Sequence, residues 1–209
     1  MQISVLTTSI RPKALEPTRN SLLKQQFDSF EWLTDINWTG EVDLNKSLNR
    51  LIQRAKGELI VFVQDYVELP PDALQLFWEA YQNKPAFYTA PVSKFDEQGE
   101  TWDWRANKEG AIGWQDWEID CGSAPRAALI DVGGFDEELD RYWGYDNPNV
   151  GLRAQMKGYE FYNLKDIKCK AFDHNKHEAH PFREKQNVDF ANTRLELIRC
   201  GALDIQFVV

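Results

Sequence analysis

The sequence is short of cationic residues, of cysteine and of long apolar runs, and each shortage removes a class of function. Lysine and arginine number 24 against 33 aspartate and glutamate, a formal net charge of -9. Nucleic-acid binding rests on neutralising phosphates with basic side chains, so this balance argues against a nucleic-acid partner. It argues equally against electrostatic docking on an anionic membrane. No segment approaches the roughly 20 apolar residues of a transmembrane span. The apolar run in MQISVLTTSIRPK is too short for a signal peptide, and its cations follow the run instead of preceding it. The three cysteines, Cys121, Cys169 and Cys200, are odd in number and widely spaced. That pattern suits reduced thiols in the cytoplasm better than a disulfide framework or a zinc site. The expectation is a soluble, cytoplasmic chain.

What remains is an ordinary globular balance, 43% hydrophobic and 27% charged over 209 residues. A chain of that length folds as one large domain and buries roughly 70% of its unfolded surface, so it needs no covalent or metal staple. Eight tryptophans are more than usual. Indole rings serve cores, interfaces and sugar-stacking surfaces alike, and composition does not separate these uses.

Apolar runs and helical periods alternate along the first 80 residues. A β-branched run over 2–7 ends in Thr7-Thr8-Ser9, a helix is predicted over 17–26, and a second strand over 30–36. Apolar positions 44, 48, 51, 52 and 55 have a helical spacing that closes at Gly57. The run Glu58-Leu-Ile-Val-Phe-Val63 reads as a strand buried on both faces, and a further amphipathic helix spans 72–81. This is the pattern of βαβ units, hence an α/β fold with a mainly parallel central sheet flanked by helices. Ligands in such folds sit beyond the carboxyl ends of the strands, which points to Thr7, Thr8, Asp35, Gln64 and Asp65. Residues 90–120 are rich in Trp, Gly and charge, without clear period. Ala124 to Val132 reads as a strand or short helix leading to the turn Gly133-Gly134-Phe135-Asp136. A helix over 149–158, a strand over 159–164, a polar tail over 173–189 and a last helix over 190–200 complete the chain.

Three ordered blocks, ISVLTTSIRP, GELIVFVQDYVELPPDAL and GGFDEELDRYWGYDNPNVGLRAQMKGYEF, resemble the family 2 glycosyltransferases of the GT-A fold. The resemblance implies a Rossmann-like nucleotide-diphospho-sugar transferase domain over 1–209. Residues 1–90 would be the nucleotide-binding half, 91–172 the acceptor and catalytic half, and 173–209 a C-terminal tail and helix. It also implies a divalent metal, Mn2+ or Mg2+, and a carboxylate base. Where the family's metal motif reads Asp-X-Asp, this sequence reads Gln64-Asp65-Tyr66-Val67-Glu68. Asp65 is the metal candidate; Glu68 either substitutes for the second acid or opens the next loop. A carboxylate suits a hard cation that bridges to phosphate, although Asp also caps helices. In the third block the acidic pair has become Tyr145-Asp146, so Asp146 inherits the base by position, with a helix cap as the alternative. Arg153, two turns on, reads as a structural ion-pair partner.

The first block would hold the nucleotide through Thr7 and Thr8, with Arg11 either near the phosphates or free in a loop. Asp35 would meet the base or ribose, and Lys46 lies in the segment that follows. All three histidines fall between Asp173 and His180. By the resemblance His174 is a further metal or diphosphate ligand; by composition the segment is a polar loop. Arg183 and Lys185 follow as candidate phosphate clamps. Trp143 is the candidate sugar-stacking residue, and Asp103 and Asp120 are candidates for sugar hydroxyls. The implied activity is inverting transfer from a nucleotide-diphosphate sugar, with a UDP-sugar favoured, to a hydroxyl of a glycan or glycolipid acceptor. A sugar-1-phosphate nucleotidyltransferase is disfavoured, because Thr7-Thr8-Ser9 stands where its glycine-rich loop would be. The non-enzymatic alternative is a degenerate nucleotide-sugar-binding module.

Overall fold

A computed structural model describes residues 1–37, 43–96, 99–141, 145–171 and 185–207. In chain order the elements are β1 (Ile3–Ser9), α1 (Leu15–Leu22), β2 (Phe30–Ile36), α2 (Leu44–Arg54), β3 (Leu59–Val63), β4 (Val67–Glu68), α3 (Ala73–Asn83), β5 (Phe87–Thr89), β6 (Val92–Asp96), β7 (Gly99–Trp102), β8 (Gly110–Ala111), β9 (Cys121–Pro125), α4 (Arg126–Asp131), α5 (Asp146–Met156), β10 (Phe161–Asn163), β11 (Cys169–Ala171) and α6 (Lys185–Arg199). Short 3-10 turns punctuate the loops, among them Trp104–Asn107 and Glu137–Arg141.

Seven strands form the central sheet in the order β2-β1-β3-β9-β5-β10-β8, and four form a smaller sheet, β4-β11-β6-β7. The first half is parallel, as the βαβ pattern requires, with Ile3 opposite both Phe30 and Leu59. Strand β9 then runs antiparallel between β3 and β5, so the sheet as a whole is mixed. Every residue of β3 is buried, and its side chains alternate between two cores. Val61 and Val63 face Leu74, Phe77 and Trp78 of α3, whereas Ile60 and Phe62 face Leu48, Leu51 and Ile52 of α2 together with Ala128, Leu129 and Val150. That two-sided burial is why the run reads as continuously apolar. Trp117 sits fully buried in the second core, edge-on to Phe62 at 5.9 Å and Phe87 at 5.1 Å.

Boundaries moved where caps and packing override the local period. The first helix starts earlier and ends earlier than the sequence suggests, because the Pro12–Ala14 turn feeds it and the chain leaves it at Leu23. Ala124 to Val132 divides, with β9 ending at Pro125 and α4 beginning at Arg126. The last helix begins at Lys185, inside the stretch read as polar tail. It docks through Leu195 and Ile198 on Leu152, and Arg194 pairs with the buried carboxylate of Asp136.

Two close approaches need glycine. A Cβ on Gly57 would sit 2.3 Å from the backbone nitrogen of Ser4, where the chain enters β3 alongside β1. A Cβ on Gly133, already at φ +85°, would sit 1.8 Å from the carbonyl oxygen of Ile205. The turn after Gly134 is clamped from α2: Asn49 Nδ2 donates to the Phe135 carbonyl at 2.9 Å, and the Phe135 N–H donates to Asn49 Oδ1 at 2.8 Å. Asn49→Ala leaves both backbone groups buried and unpaired, so urea unfolding should show a loss of roughly 2–4 kcal/mol. Replacing the exposed Lys24 by Ala should stay within about 0.5 kcal/mol.

Candidate active site

The carboxyl ends of β1 and β3 meet at Asp65. Its side chain is 5% exposed and fully engaged: Ser9 Oγ donates to Oδ2 at 2.6 Å, and Arg11 Nη2 to Oδ1 at 2.6 Å. The Ser9 hydroxyl in turn accepts from the Arg11 N–H at 2.8 Å, closing the loop after β1 onto the carboxylate. Burying an unpaired carboxylate is costly, so this pairing is what allows an Asp at the end of an all-buried strand. Arg11 Nε is buried beside the pair without a partner. Alternation along β1 separates the two threonines. Thr7 is 1% exposed, and its hydroxyl accepts from Trp32 Nε1 at 3.1 Å. Thr8 instead lines a cleft with Gln64, walled by Leu6, Leu48, Phe62 and Ile119.

Beyond Asp65 lies a dense acidic group. The Tyr66 phenol is held well above its ordinary range by burial and by the charges of Asp120, Asp65 and Glu118. Arg105, 4% exposed, spans two carboxylates: Asp120 at 2.7 Å through each of two nitrogens, and Asp103 at 2.6 Å through Nη2 and 3.0 Å through Nε. Burial opposes the Arg105 charge, and the two aspartates outweigh it. Asp103 is further fixed by the N–H groups of Val92 and Arg105. Glu118 is the third carboxylate. Burial first, then the charge of Asp120, lift its carboxyl from 4.5 to about 7, against Arg105 and a 2.6 Å hydrogen bond from Asn147 Nδ2.

The start of α5 supplies a fourth acid. Tyr145 precedes the helix at φ 65°, the one non-glycine with positive φ among the described residues. A side chain held left-handed costs on the order of 1–3 kcal/mol, and such positions cluster at functional sites. It delivers Asp146 as the first helical residue, where Oδ1 accepts from Asn45 Nδ2 at 2.6 Å. The same amide donates to Asp140 Oδ1 at 2.8 Å. Asp140 also takes the backbone N–H groups of Asn45 and Lys46, capping α2 from another part of the chain. Burial lifts the Asp146 carboxyl to about 6, opposed by Asn45 and reinforced by the negative charges of Asp140 and Asp136.

Other sequence candidates land as follows. Asp35 lies opposite Thr8 in the β1–β2 register, and its carboxylate pairs with Arg50 Nε at 2.7 Å. Lys46 is exposed on α2. Gln64 lines the cleft, while Glu68 belongs to β4 and stands opposite Lys170. Asp103 and Asp120 are brought together, but on Arg105. Arg153 is structural by a different route from the ion pair expected of it: it is buried and donates to the carbonyls of Val132 and Gly134 and to Asn149 Oδ1. Burial lowers it to about 10. Trp143, His174 and Arg183 lie outside the described residues, as does the side chain of Lys185. Among the described residues no group of three His, Cys, Asp or Glu side chains is placed to hold a metal ion. Both carboxylate oxygens of Asp65, the sequence's metal candidate, are engaged by Ser9 and Arg11. Sequence reasoning missed Ser9, Asn45, Arg105, Glu118, Asp140 and Asn147. Only Glu118, an acid in the apolar setting Trp117-Glu118-Ile119, carried a local signal.

The raised Glu118 carboxyl has a consequence for stability. Its contribution is fully present below the unfolded value near 4.5 and is lost as pH rises through about 7. Glu118→Gln should therefore raise stability by about 2 kcal/mol near pH 8 and change it little near pH 4, after allowance for partial exposure. Thermal melts across that range measure it, and a constant difference would show an unperturbed carboxyl.

No family model matches the sequence, and no curated protein matches it either. Solved structures do match. S. aureus TarS 1-349 in complex with UDP superposes with a TM-score of 0.70 at 15% identity, covering 94% of this chain and 65% of that one. GalNAc-T7 with UDP, GalNAc and Mn2+ gives 0.67 at 12%, covering 94% and 48%. The mannosyltransferase PcManGT from Pyrobaculum calidifontis, with GDP-Man and Mn2+, gives 0.66 at 13%, covering 97% and 72%. This chain thus spans less than two thirds of the length of the first two. At these identities the likeness is one of architecture, and this chain has the GT-A fold of those glycosyltransferases.

Proposed function

We propose that this chain is an inverting glycosyltransferase, of the family 2 type that its three sequence blocks resemble. It moves a sugar from a nucleotide-diphosphate donor to a hydroxyl of a glycan or glycolipid acceptor. One observation carries the reading: on a GT-A fold, Asp65, Ser9 and Arg11 meet at the carboxyl ends of β1 and β3, while Asp146, a carboxyl lifted to about 6, opens α5. UDP is the favoured nucleotide, since TarS is described with UDP and with UDP-GlcNAc, although PcManGT is described with GDP-Man.

The nucleoside would lie over the carboxyl ends of β1 and β2, beside Thr8 and Asp35, and the small cavity that Thr8 and Gln64 line below it has room for about one water molecule. Arg11 turns its guanidinium to the diphosphate, an anion that competes with Asp65 for the same donors. Asp65, with His174 as a second candidate, would hold Mn2+ or Mg2+, and such an ion would supply Lewis-acid neutralisation of the departing diphosphate. Asp146 accepts the proton of the acceptor hydroxyl as that oxygen attacks the anomeric carbon. A base with a value near 6 is ionised at neutral pH yet still a useful proton acceptor.

A second reading, a nucleotide-sugar-binding module without turnover, draws on the complete engagement of Asp65 by Ser9 and Arg11. Incubation with a panel of UDP-, GDP- and dTDP-sugars and Mn2+, scored by nucleotide release, separates the two. On the transferase reading, Asp146→Asn lowers kcat about 100-fold to 10,000-fold with donor KM little changed. Wild-type kcat then rises with pH through about 6, where Asp146 loses its proton. Donor binding without release, identical in Asp146→Asn, would establish the binding module.

A further inference from the structure

Two of the three cysteines, distant in sequence, meet across the boundary between the sheets. Cys121 opens β9 in the seven-stranded sheet and Cys169 opens β11 in the four-stranded one. Both are 0% exposed, and their Sγ atoms lie 2.9 Å apart. The placement is pinned from both sides. Cys121 stands opposite Val63 in the register of β3, and its carbonyl accepts from the Ala90 N–H at 2.9 Å. The Cys169 N–H donates to the carbonyl of Pro91 at 3.0 Å, and Cys169 stands opposite Val92. Consecutive residues, Ala90 and Pro91, therefore hold the two cysteines, so their separation is set by backbone hydrogen bonds and not by side-chain drift.

We propose that Cys121 and Cys169 are a covalent cross-linking site, joined as a disulfide by exchange with a small disulfide such as oxidised glutathione. The two sulfurs sit within about 1 Å of bonding distance, so little backbone movement is needed. The balance is simple. One cysteine thiolate attacks oxidised glutathione and expels a glutathione thiolate. The second thiolate then attacks the mixed disulfide and expels the other. Two protein thiols are oxidised, one glutathione disulfide is reduced, and the two thiol protons pass to the solvent or to the released glutathione thiolates.

Burial decides when this happens. It pushes the Cys169 thiol well above its ordinary range, with Cys121 reinforcing the shift, and exchange requires an accessible thiolate. The folded, reduced protein resists oxidation, and the bond forms while the chain folds. Cys200, exposed at the end of α6, is the built-in control. The link lies directly behind the acidic group: the Cys121 N–H donates at 2.8 Å to Asp120 Oδ1, the oxygen that also accepts from Arg105. It would tie β4 and β11 to the strand that positions Asp120, whatever the chain's activity.

The test uses the full chain, reduced and unfolded in denaturant, then refolded in a glutathione redox buffer, alkylated under denaturing conditions and mapped by mass spectrometry. The expected result is a Cys121–Cys169 linked peptide, with Cys200 alkylated or glutathionylated, and the same link in Cys200→Ser. The linked protein should melt roughly 5–15 °C above its dithiothreitol-treated form, a difference absent in Cys169→Ala. Recovery of Cys121 and Cys169 as alkylated thiols after refolding in oxidised glutathione would overturn the proposal. So would pairing of either with Cys200 as often as with each other.

Discussion

A carboxylate at the end of a strand with no exposed residue needs a counter-charge and donors for both oxygens, and Asp65 obtains them from the loop that follows β1. That requirement draws Ser9 and Arg11 across the top of the sheet. It joins the ends of the parallel strands β1 and β3, next to the cleft that Thr8 and Gln64 line. Arg11 is part-exposed, while its Nε is buried without a hydrogen-bond partner. Removing Arg11 would leave a buried charge without its partner, a loss of about 3–5 kcal/mol in comparable pairs.

The same electrostatics organise the rest of the site. One guanidinium, Arg105, serves two aspartates, and burial, reinforced by the charge of Asp120, lifts the nearby Glu118 carboxyl to about 7. On the other side of the α5 start, the Asn45 amide is shared between Asp140 and Asp146, and Asp146 moves to about 6. Two carboxyls that exchange protons near neutrality therefore flank one helix terminus, each held by an asparagine amide.

The elements that were legible in the sequence are those whose environment is uniform along their length. β3 is apolar throughout because both faces are covered, and α2 shows its period because one face meets the second core. The antiparallel insertion of β9 was not legible, since CGSAP is buried by its neighbours on either side and has little pattern of its own. At the site, Asp65 stood out because it follows an apolar strand, and Asp146 because the third sequence block resembles the segment that holds the family's base. Ser9, Asn45, Arg105 and Asn147 did not, because their importance lies in partners 15 to 101 residues away. Asp103 and Asp120 looked like free hydroxyl ligands for the same reason: Arg105, which occupies both, is ordinary in sequence.

By itself the sequence determined the class of fold, the strand ends at which polar residues gather, and the carboxylates at two of those places. These follow from local rules, since periodicity and a polar residue after an apolar strand are properties of neighbours in the chain. Tertiary structure alone decided which of those groups are free and which are spent. It placed Arg11 on Asp65, turned Thr7 inward toward Trp32 while leaving Thr8 in the cleft, and raised Glu118 and Asp146 toward neutrality. It also set Cys121 against Cys169, which spacing alone had kept apart. The reason is the same in each case: burial and charge act through space, between side chains that only the folded sheet brings within a few ångströms.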